Sequence, residues 1–328
     1  MKRGVIALIG AAAVVAAVYG TYRYYLAQVR RTPVTPAVKT VTIPAGYTTA
    51  EIASLLAEEG LIAEPRAFVW YCRLNGFDGK LQAGRYELSS EEGIPALAAT
   101  LAAGRVRVVR FTIPEGYTKE KTAAALEAAG VCPVPEFLAA CDRGDPRGRL
   151  PGEDLEGYLF GDTYEVEADA GADEIVATMV DRFFEVWEAE AAPEVSSRAR
   201  GEVVTLASIV EREAMLDEER PLVASVFHNR LARGMRLESC ATVIYALGGD
   251  VERLTIQDLQ VDSPYNTYVN GGLPPGPICS PGRASLRAAL NPAATDYLFF
   301  VSNGDGSHTF SRTLRGHLTA RANKEKPN

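Results

Sequence analysis

Two copies of one short stretch decide the fold expected for the first half of the chain. Residues 41–48 read VTIPAGYT, and residues 111–118 read FTIPEGYT, 70 positions later. Each copy begins with β-branched or aromatic residues, passes through a turn that contains Pro and Gly, and ends on a Thr that favours the start of a helix. The repeat therefore predicts two small α+β modules. Between them, the pattern predicts a strand at 84–88 and a short helix at 94–103.

An uncharged apolar stretch precedes the first copy. Residues 4–20 read GVIALIGAAAVVAAVYG, with two basic residues before them and a cluster of tyrosines after them. The stretch approaches the roughly 20 residues that span a bilayer, and tyrosines suit the membrane interface. A cleaved signal peptide is the alternative. We expect residues 1–31 to form a cytoplasmic tip and a single-pass anchor in the inner membrane, with the rest of the chain extracytoplasmic.

The second half of the chain is predicted to be mainly helical. Residues 142–154 are rich in Gly, Pro and charge, which marks a boundary. Helical periodicity runs from 172 to 191 and from 202 to 231, whereas residues 263–282 carry Gly and Pro at short intervals and predict a long ordered loop. The chain is therefore expected to be an α+β protein with an anchor at 1–31, a Pro-spaced linker at 32–37, a small α+β module at 38–109, a second small α+β module or connector at 110–145, and a mainly helical domain at 146–328.

The composition disfavours several classes of function. A net charge of −8 leaves no basic excess for binding a nucleic-acid backbone. The three histidines and five cysteines show neither H-E-x-x-H nor C-x-x-C spacing, and no glycine-rich phosphate motif is present. Lysine is absent between Lys121 and Lys324, which argues against a pyridoxal enzyme. We therefore expect no metal, no cofactor and no nucleic-acid partner.

One predicted helix carries two candidate acids. Residues 203–214 read VVTLASIVEREA. At about 100° per residue, Glu213 falls on the apolar stripe with Leu206 and Ile209, whereas Glu211 points elsewhere. A carboxyl on an apolar stripe loses water, which favours the protonated form that a general acid needs near neutrality. The alternative is that Glu213 is a surface side chain paired with Arg212.

Two further pairs of residues carry polar groups that suit a sugar substrate. Asn229 and Arg230 lie on a predicted helix, where they either contact substrate or form a solvated face. Tyr265 and Asn266 lie in the Gly/Pro loop, and their hydroxyl and amide groups suit sugar hydroxyls, although Asn is equally common as a turn residue. His308 is an isolated loop histidine and is expected to be structural.

Four longer motifs resemble one bacterial family. They are LEGYLFGDTY at 155–164, LASIVERE at 206–213, ASVFHNRLARGMRL at 224–237, and YNTYVNGGLPPGPI at 265–278. In this order, and behind an apolar N-terminal stretch, the chain from about residue 38 to about residue 320 resembles the membrane-anchored endolytic murein transglycosylases.

The resemblance implies a LysM-like module at 38–109 and a catalytic domain that cleaves the bond between N-acetylmuramic acid and N-acetylglucosamine within glycan strands. Glu213 would protonate the glycosidic oxygen and then take the proton of the muramic C6 hydroxyl, leaving a 1,6-anhydro end. Such a lyase would end the elongation of nascent strands beside penicillin-binding proteins. The alternative is a non-catalytic wall-binding anchor or a scaffold for the synthases. Substrate contacts are expected from Tyr158, Asn229, Arg230, Glu238, Tyr265 and Asn266.

The chain departs from the family pattern at three positions. Cys240 and Ala241 stand where the family usually has Asp and Pro, and Gly161 stands where it usually has Pro. The lost Asp would remove a contact from the cleft. Because Cys240 and Cys279 both fall in motif loops that the family places at the rim, we considered a disulfide between them, with two separate thiols as the alternative.

Overall fold

The computed structural model describes residues 2–29, 38–104, 108–150, 152, 154–191, 197–249, 251 and 253–324. The chain divides into two compact units, Met1–Val109 with Glu165–Asp169, and Arg110–Tyr164 with Ala170–Asn328. The described residues contain twelve α-helices and three two-stranded sheets, so the predicted α+β class is confirmed. The linker predicted at 32–37 lies outside the described residues.

The first unit contains the first copy of the repeat. Its elements are α1 (Lys2–Val29), β1 (Val38–Ile43), α2 (Thr49–Glu58), α3 (Pro65–Leu74), β2 (Gly84–Ser89) and α4 (Gly93–Ala102). Strands β1 and β2 pair antiparallel, and their inward residues pack with the three short helices around Tyr86 and Phe68, which are fully buried. The strand and the helix predicted between the two copies are thus confirmed as β2 and α4. In the described part of the chain, no helix is both long and apolar enough to qualify as a membrane span.

The second unit contains every candidate site residue. The helices that follow are α5 (Lys119–Ala128), α6 (Val134–Asp142), α7 (Ala172–Glu190), α8 (Ser197–Glu213), α9 (Arg220–Ala232), α10 (Cys240–Ala246), α11 (Arg283–Leu290) and α12 (Leu314–Lys324). The strands are β3 (Val108–Thr112), which pairs with β4 (Thr163–Glu167), and β5 (Phe299–Ser302), which pairs antiparallel with β6 (His308–Ser311). The division between the two units falls within β3 and β4.

Helix α8 is the centre of the second unit. It packs against α9, α10 and α11, and every side chain from Val204 to Val210 is buried. The predicted apolar stripe with Leu206 and Ile209 is buried, and so is the face that carries Val204, Ala207 and Ser208, because neighbouring elements cover both faces. The periodicity predicted from 202 to 231 is also interrupted. Helix α8 ends at Glu213, a short 3₁₀ turn follows, and α9 starts at Arg220 with Pro221 in its first turn.

The second copy of the repeat packs against the long loop. Gly116 N donates to Ser280 O, and Ser280 N donates to Tyr117 O, both at 2.8 Å. On its other side the same turn approaches Gly161, where an added Cβ would lie 2.6 Å from Glu115 N. This close approach explains a glycine at that position. The predicted loop is confirmed, because residues 263–282 contain no helix and α11 begins directly after them.

Candidate active site

Glu213 is the last residue of α8 and is half-buried. Ser239, which directly precedes α10, donates its hydroxyl to Glu213 Oε1 at 2.5 Å. Ser239 is itself fixed, because it is buried and its backbone N–H donates to Thr267 Oγ1 at 3.0 Å. The carboxyl is therefore held in one orientation by a hydroxyl from a neighbouring helix.

Glu213 opens into a cavity of 410 Å³, which we call the Glu213 cavity. Its walls come from the start of α10, from the long loop, from strands β5 and β6, and from α12. The other lining residues are Arg230, Leu237, Glu238, Cys240, Tyr268, Phe300, Val301, Ser302, His308, His317 and Arg321. A cleft of this size, with aromatic and polar walls beside the Glu213 carboxyl, suits a sugar ring.

Arg230 is buried and fixes one wall of this cavity. Its guanidinium donates to Leu298 O at 2.7 Å, to Leu237 O at 2.9 Å and to the Glu238 carboxylate at 3.1 Å. Glu238 has φ +51°, the only described non-glycine residue in the left-handed region. A strained conformation of this kind persists only where its surroundings enforce it. Arg230 thus acts as a brace for Glu238 as well as a cavity wall.

His308 lines the same cavity and is held by an acid. Glu219 accepts the backbone N–H of His308 at 2.9 Å, and its other oxygen lies 2.7 Å from His308 Nδ1. Since Nδ1 is engaged, Nε2 is the ring nitrogen that a ligand in the cavity would meet. The expectation of a structural histidine agrees with the Glu219 contact, although the position in the cavity was not foreseen.

Glu211, the other acid of α8, is enclosed in the protein. Its side chain is 9% exposed and lies 3.2 Å from Arg220 Nη1. It also accepts the backbone N–H of Gly282 at 3.0 Å. Glu211 therefore ties α8 to α9 and to the start of α11, and it does not line the Glu213 cavity.

The two asparagines predicted as substrate contacts brace loops. Asn229 donates to Thr295 O and Tyr297 O at 2.8 and 2.9 Å. Asn266 is fully buried, and its amide group donates to Leu259 O and Val261 O. Neither asparagine lines the Glu213 cavity. The contacts of Asn266 agree with the alternative of a turn residue, whereas Asn229 is half-buried and is not part of a solvated face.

Tyr158 and Tyr265 line a different cavity of 500 Å³, which we call the Glu156 cavity. Tyr158 is buried and packs edge-to-face on Phe183, with ring centroids 4.9 Å apart. The residues predicted for one site are therefore distributed over two cavities. Arg230 and Glu238 accompany Glu213, whereas the two tyrosines lie elsewhere.

The hypothesis of a Cys240–Cys279 disulfide is wrong, because both are free thiols. Cys279 is buried against α8, with its Sγ 3.4 Å from Ser208 O, and burial raises the pKa of this thiol. Cys240 is exposed and lies 3.1 Å from Tyr268 Oη. The two thiols therefore contact different neighbours. Across the described ranges, no group of three or more His, Cys, Asp or Glu side chains is placed to hold a metal ion.

Sequence analysis missed several residues of the Glu213 cavity. Tyr268 lies within a quoted motif, and Ser239, the hydrogen-bond partner of Glu213, directly precedes Cys240, so a search for hydroxyl donors near the acid could have found both. His308, Phe300 and His317 follow Glu213 by more than 85 positions and carry no local signal. Only the packing of β5, β6 and α12 brings them to the acid.

Comparisons with known proteins agree on one family. The model of the YceG-like family matches residues 41–323. An endolytic murein transglycosylase of Bacillus subtilis (strain 168) is 33% identical over 302 residues, covering 86% of this chain and 83% of that protein. One of Streptococcus pneumoniae serotype 2 (strain D39) is 30% identical over 305 residues, covering 80% of this chain and 54% of that protein. The crystal structure of a YceG-like protein from Listeria monocytogenes, 34% identical, covers 87% of this chain with a TM-score of 0.56.

The matched segment includes both cavities and all four quoted motifs. The chain belongs to the YceG-like family. The resemblance inferred from the motifs is thereby confirmed at the level of the family.

Proposed function

We propose that this protein is an endolytic transglycosylase of peptidoglycan, a lyase that cleaves the bond between N-acetylmuramic acid and N-acetylglucosamine inside glycan strands. The observation that carries this proposal is the Glu213 carboxyl, fixed by Ser239 and open to a cavity of 410 Å³. The names of the curated relatives support the same activity.

In the proposed reaction, Glu213 first donates its proton to the glycosidic oxygen as the bond to C1 of the muramic residue breaks. Positive charge develops on C1 and the ring oxygen. The resulting carboxylate then removes the proton of the muramic C6 hydroxyl while that oxygen bonds to C1, which closes a 1,6-anhydro ring. Ser239 stabilises the carboxylate between the two steps, because hydrogen bonds to a charged group are stronger than those to a neutral one.

Glu238 is a second carboxylate in the cavity, and its role differs from that of Glu213. It is ion-paired with Arg230 at 3.1 Å, which holds it toward the wall. Hydrolysis by two carboxylates requires one of them to activate a water molecule or to attack C1. A Glu238 engaged by Arg230 is poorly placed for either task, which favours ring closure by the substrate's own hydroxyl.

Digestion of purified murein by the full-length protein tests this proposal, with mass spectrometry of the muramic ends. We expect 1,6-anhydro ends released from the interior of strands. Reducing ends as the main product would make the protein a muramidase. Intact strands that still sediment with the protein would favour the non-catalytic wall-binding alternative.

We also propose that residues 1–31 anchor the protein in the cytoplasmic membrane, with a LysM-like module at 38–109 and the catalytic domain outside. The uncharged stretch at 4–20 and its helical conformation within α1 support this topology. The position would bring the site close to nascent strands and to penicillin-binding proteins. Deleting residues 1–31 should move the protein from the membrane fraction to the soluble fraction and leave an active enzyme, and retention in the membrane fraction would contradict the anchor.

A further inference from the structure

The Glu156 cavity shares no lining residue with the Glu213 cavity. It is walled by Asp154, Glu156, the rings of Tyr158 and Tyr265, and the Pro-rich part of the long loop at 273–277. Its 500 Å³ exceed what one side chain would fill. The proposed transglycosylase reaction uses none of these residues.

Glu156 is the most unusual group in this cavity. It is 2% exposed, and Oε2 accepts a single backbone N–H, from Lys119 at 3.3 Å. Oε1 is buried and has no hydrogen-bond partner. Burial raises the pKa of Glu156 to about 8. A buried acceptor without a donor is costly, so a ligand that brings a donor to Oε1 gains binding energy there.

The charge and the aromatic rings of the cavity select for the type of donor. Asp154 and Glu156 both contribute carboxyl groups, and the neighbouring Lys119 Nζ is engaged by Asp154 at 3.0 Å. Asp154 repels an anionic ligand, and a cation that reaches Glu156 favours its ionised form, so Glu156 releases its proton when the cation binds. Tyrosine faces add a favourable surface for an ammonium group. The combination of carboxyl groups and tyrosine rings therefore matches a protonated amine better than an anionic group.

We propose that the Glu156 cavity binds the primary ammonium group of a diamino acid in the peptide stem of the glycan substrate, an inference that rests on the proposed function. A stem keeps this free amine until it serves as the acceptor in a cross-link, because that reaction consumes the amine. The cavity would therefore favour strands before cross-linking.

Distances along α8 agree with this assignment. Thr205 lines the Glu156 cavity, and Glu213 lies eight residues later in the same helix, roughly 12 Å along the axis. Three extended residues cover roughly 10 Å, before the length of a diamino side chain is added. The length of a stem that ends in a diamino acid is therefore comparable with the axial separation of the two cavities.

The test compares uncross-linked murein strands carrying lysine stems with the same strands after acetylation of their free amines. The full-length protein in detergent should form anhydro ends about tenfold faster on the amine-bearing strands at low substrate concentration, as expected for a charge-assisted hydrogen bond. In Glu156→Gln this ratio should fall toward one. Asp154→Asn, an exposed change that does not threaten the fold, should lower the ratio in the same direction.

Glu188→Gln on the exposed face of α7 is the matched control and should keep the wild-type ratio. Equal wild-type rates on both substrates, with anhydro ends still formed, would overturn the amine site and leave the proposed function standing. If neither substrate is cleaved, the proposed function fails, and calorimetric titration with muramyl tripeptide still decides the inference. Tighter binding of the lysine form than of its Nε-acetyl form supports the site, and equal binding rejects it.

Discussion

The Glu213 cavity and the Glu156 cavity are similar in size but differ in the burial and the hydrogen-bond partners of their carboxyl groups. Glu213 is half-buried, and a hydroxyl donates to it at 2.5 Å. Glu156 is almost fully buried, with one backbone donor at 3.3 Å and one oxygen that has no partner. A fixed and accessible carboxyl suits proton transfer at a defined point, whereas an enclosed carboxyl with a free oxygen suits binding. Burial alone therefore does not identify the catalytic acid.

Both cavities are built from the same two elements. Helix α8 contributes Thr205 to one and Glu213 to the other, and the long loop contributes Tyr265 to one and Tyr268 to the other. Asn266, between the two tyrosines, is fully buried and fixes the loop. The separation of the two tyrosines is thus a property of a rigid loop.

Replacing the acid of the Glu213 cavity should have the largest effect. Glu213→Gln keeps the shape of the side chain but cannot transfer a proton, so we expect the rate of anhydro-end formation to fall by about 10²- to 10⁴-fold with an unchanged Tm. Glu211→Gln is the control in the same helix. It should lower the Tm, since a buried ion pair to Arg220 is lost, while the folded protein retains most activity. An inactive Glu211 variant beside an active Glu213 variant would reverse the assignment.

The second prediction concerns the rigidity of the Glu156 cavity. Gly157 has φ +87°, and an added Cβ would lie 2.5 Å from Pro277, which lines the cavity. Gly157→Ala should lower the free energy of unfolding by roughly 2–4 kcal/mol, because the left-handed backbone and the clash both add cost. Gly144 has a similar φ of +84° and open space around it, so Gly144→Ala isolates the backbone cost. If urea unfolding gave equal losses of unfolding free energy for the two variants, Pro277 would move aside for the added Cβ without a measurable cost.

The third prediction tests whether the hydrogen bond from Ser239, which Glu156 lacks, contributes to the reactivity of Glu213. Ser239→Ala removes the donor to Glu213 and should slow anhydro-end formation by about tenfold, as expected for one hydrogen bond to a charged group. Ser239→Thr restores a hydroxyl and should recover most of the rate. If both variants lowered the Tm equally, and the rate of anhydro-end formation did not recover in Ser239→Thr, Ser239 would have a structural role alone.

The two copies of the repeat show what sequence could predict. Thr48 and Thr118 both cap a helix by accepting the N–H of the residue three positions later, because capping depends on local sequence. The surroundings of the turns differ. An added Cβ at Gly46 would meet nothing within 4 Å, whereas at Gly116 it would meet Glu211 Cγ at 3.4 Å. The local sequence therefore predicts each helix and strand. The neighbours of each turn depend on tertiary packing, which the local sequence does not reveal.

The candidate acid was found for a reason that holds only in part. The stripe argument separated Glu213 from Glu211, but α8 is covered on both faces, and Glu211 is the more enclosed of the two. What distinguishes the acids is their partners: Ser239, which precedes α10, and Arg220, which begins α9. His308 shows the same limit, because strand pairing between β5 and β6 brings it to the cavity. Long-range pairing of this kind leaves no periodic signal in one sequence.

The last prediction is a dependence of stability on pH that should belong to Glu156. Its pKa is about 8 in the folded protein, above the ordinary value of 4.5, and the main cause is burial. Between these values the folded state holds a proton that the unfolded state has released. The stabilisation is therefore fully present below pH 4.5 and is lost as the pH rises through 8. The neighbouring charges that act on this carboxyl are Lys119, Glu120 and Asp154.

Comparison of the wild type with Glu156→Gln between pH 5 and pH 8 cancels the titration of groups common to both proteins. Because the amide does not titrate, we expect the wild-type protein to lose on the order of 3 kcal/mol of stability relative to the variant across this range. In a unit of this size the wild-type Tm should therefore fall relative to the variant by roughly 10 °C. Thermal unfolding followed by circular dichroism measures it. Parallel profiles would mean that Glu156 is ionised throughout, as an acid with satisfied oxygens would be. The contrast between the two cavities would then be lost, because Glu156 would no longer hold an oxygen without a partner.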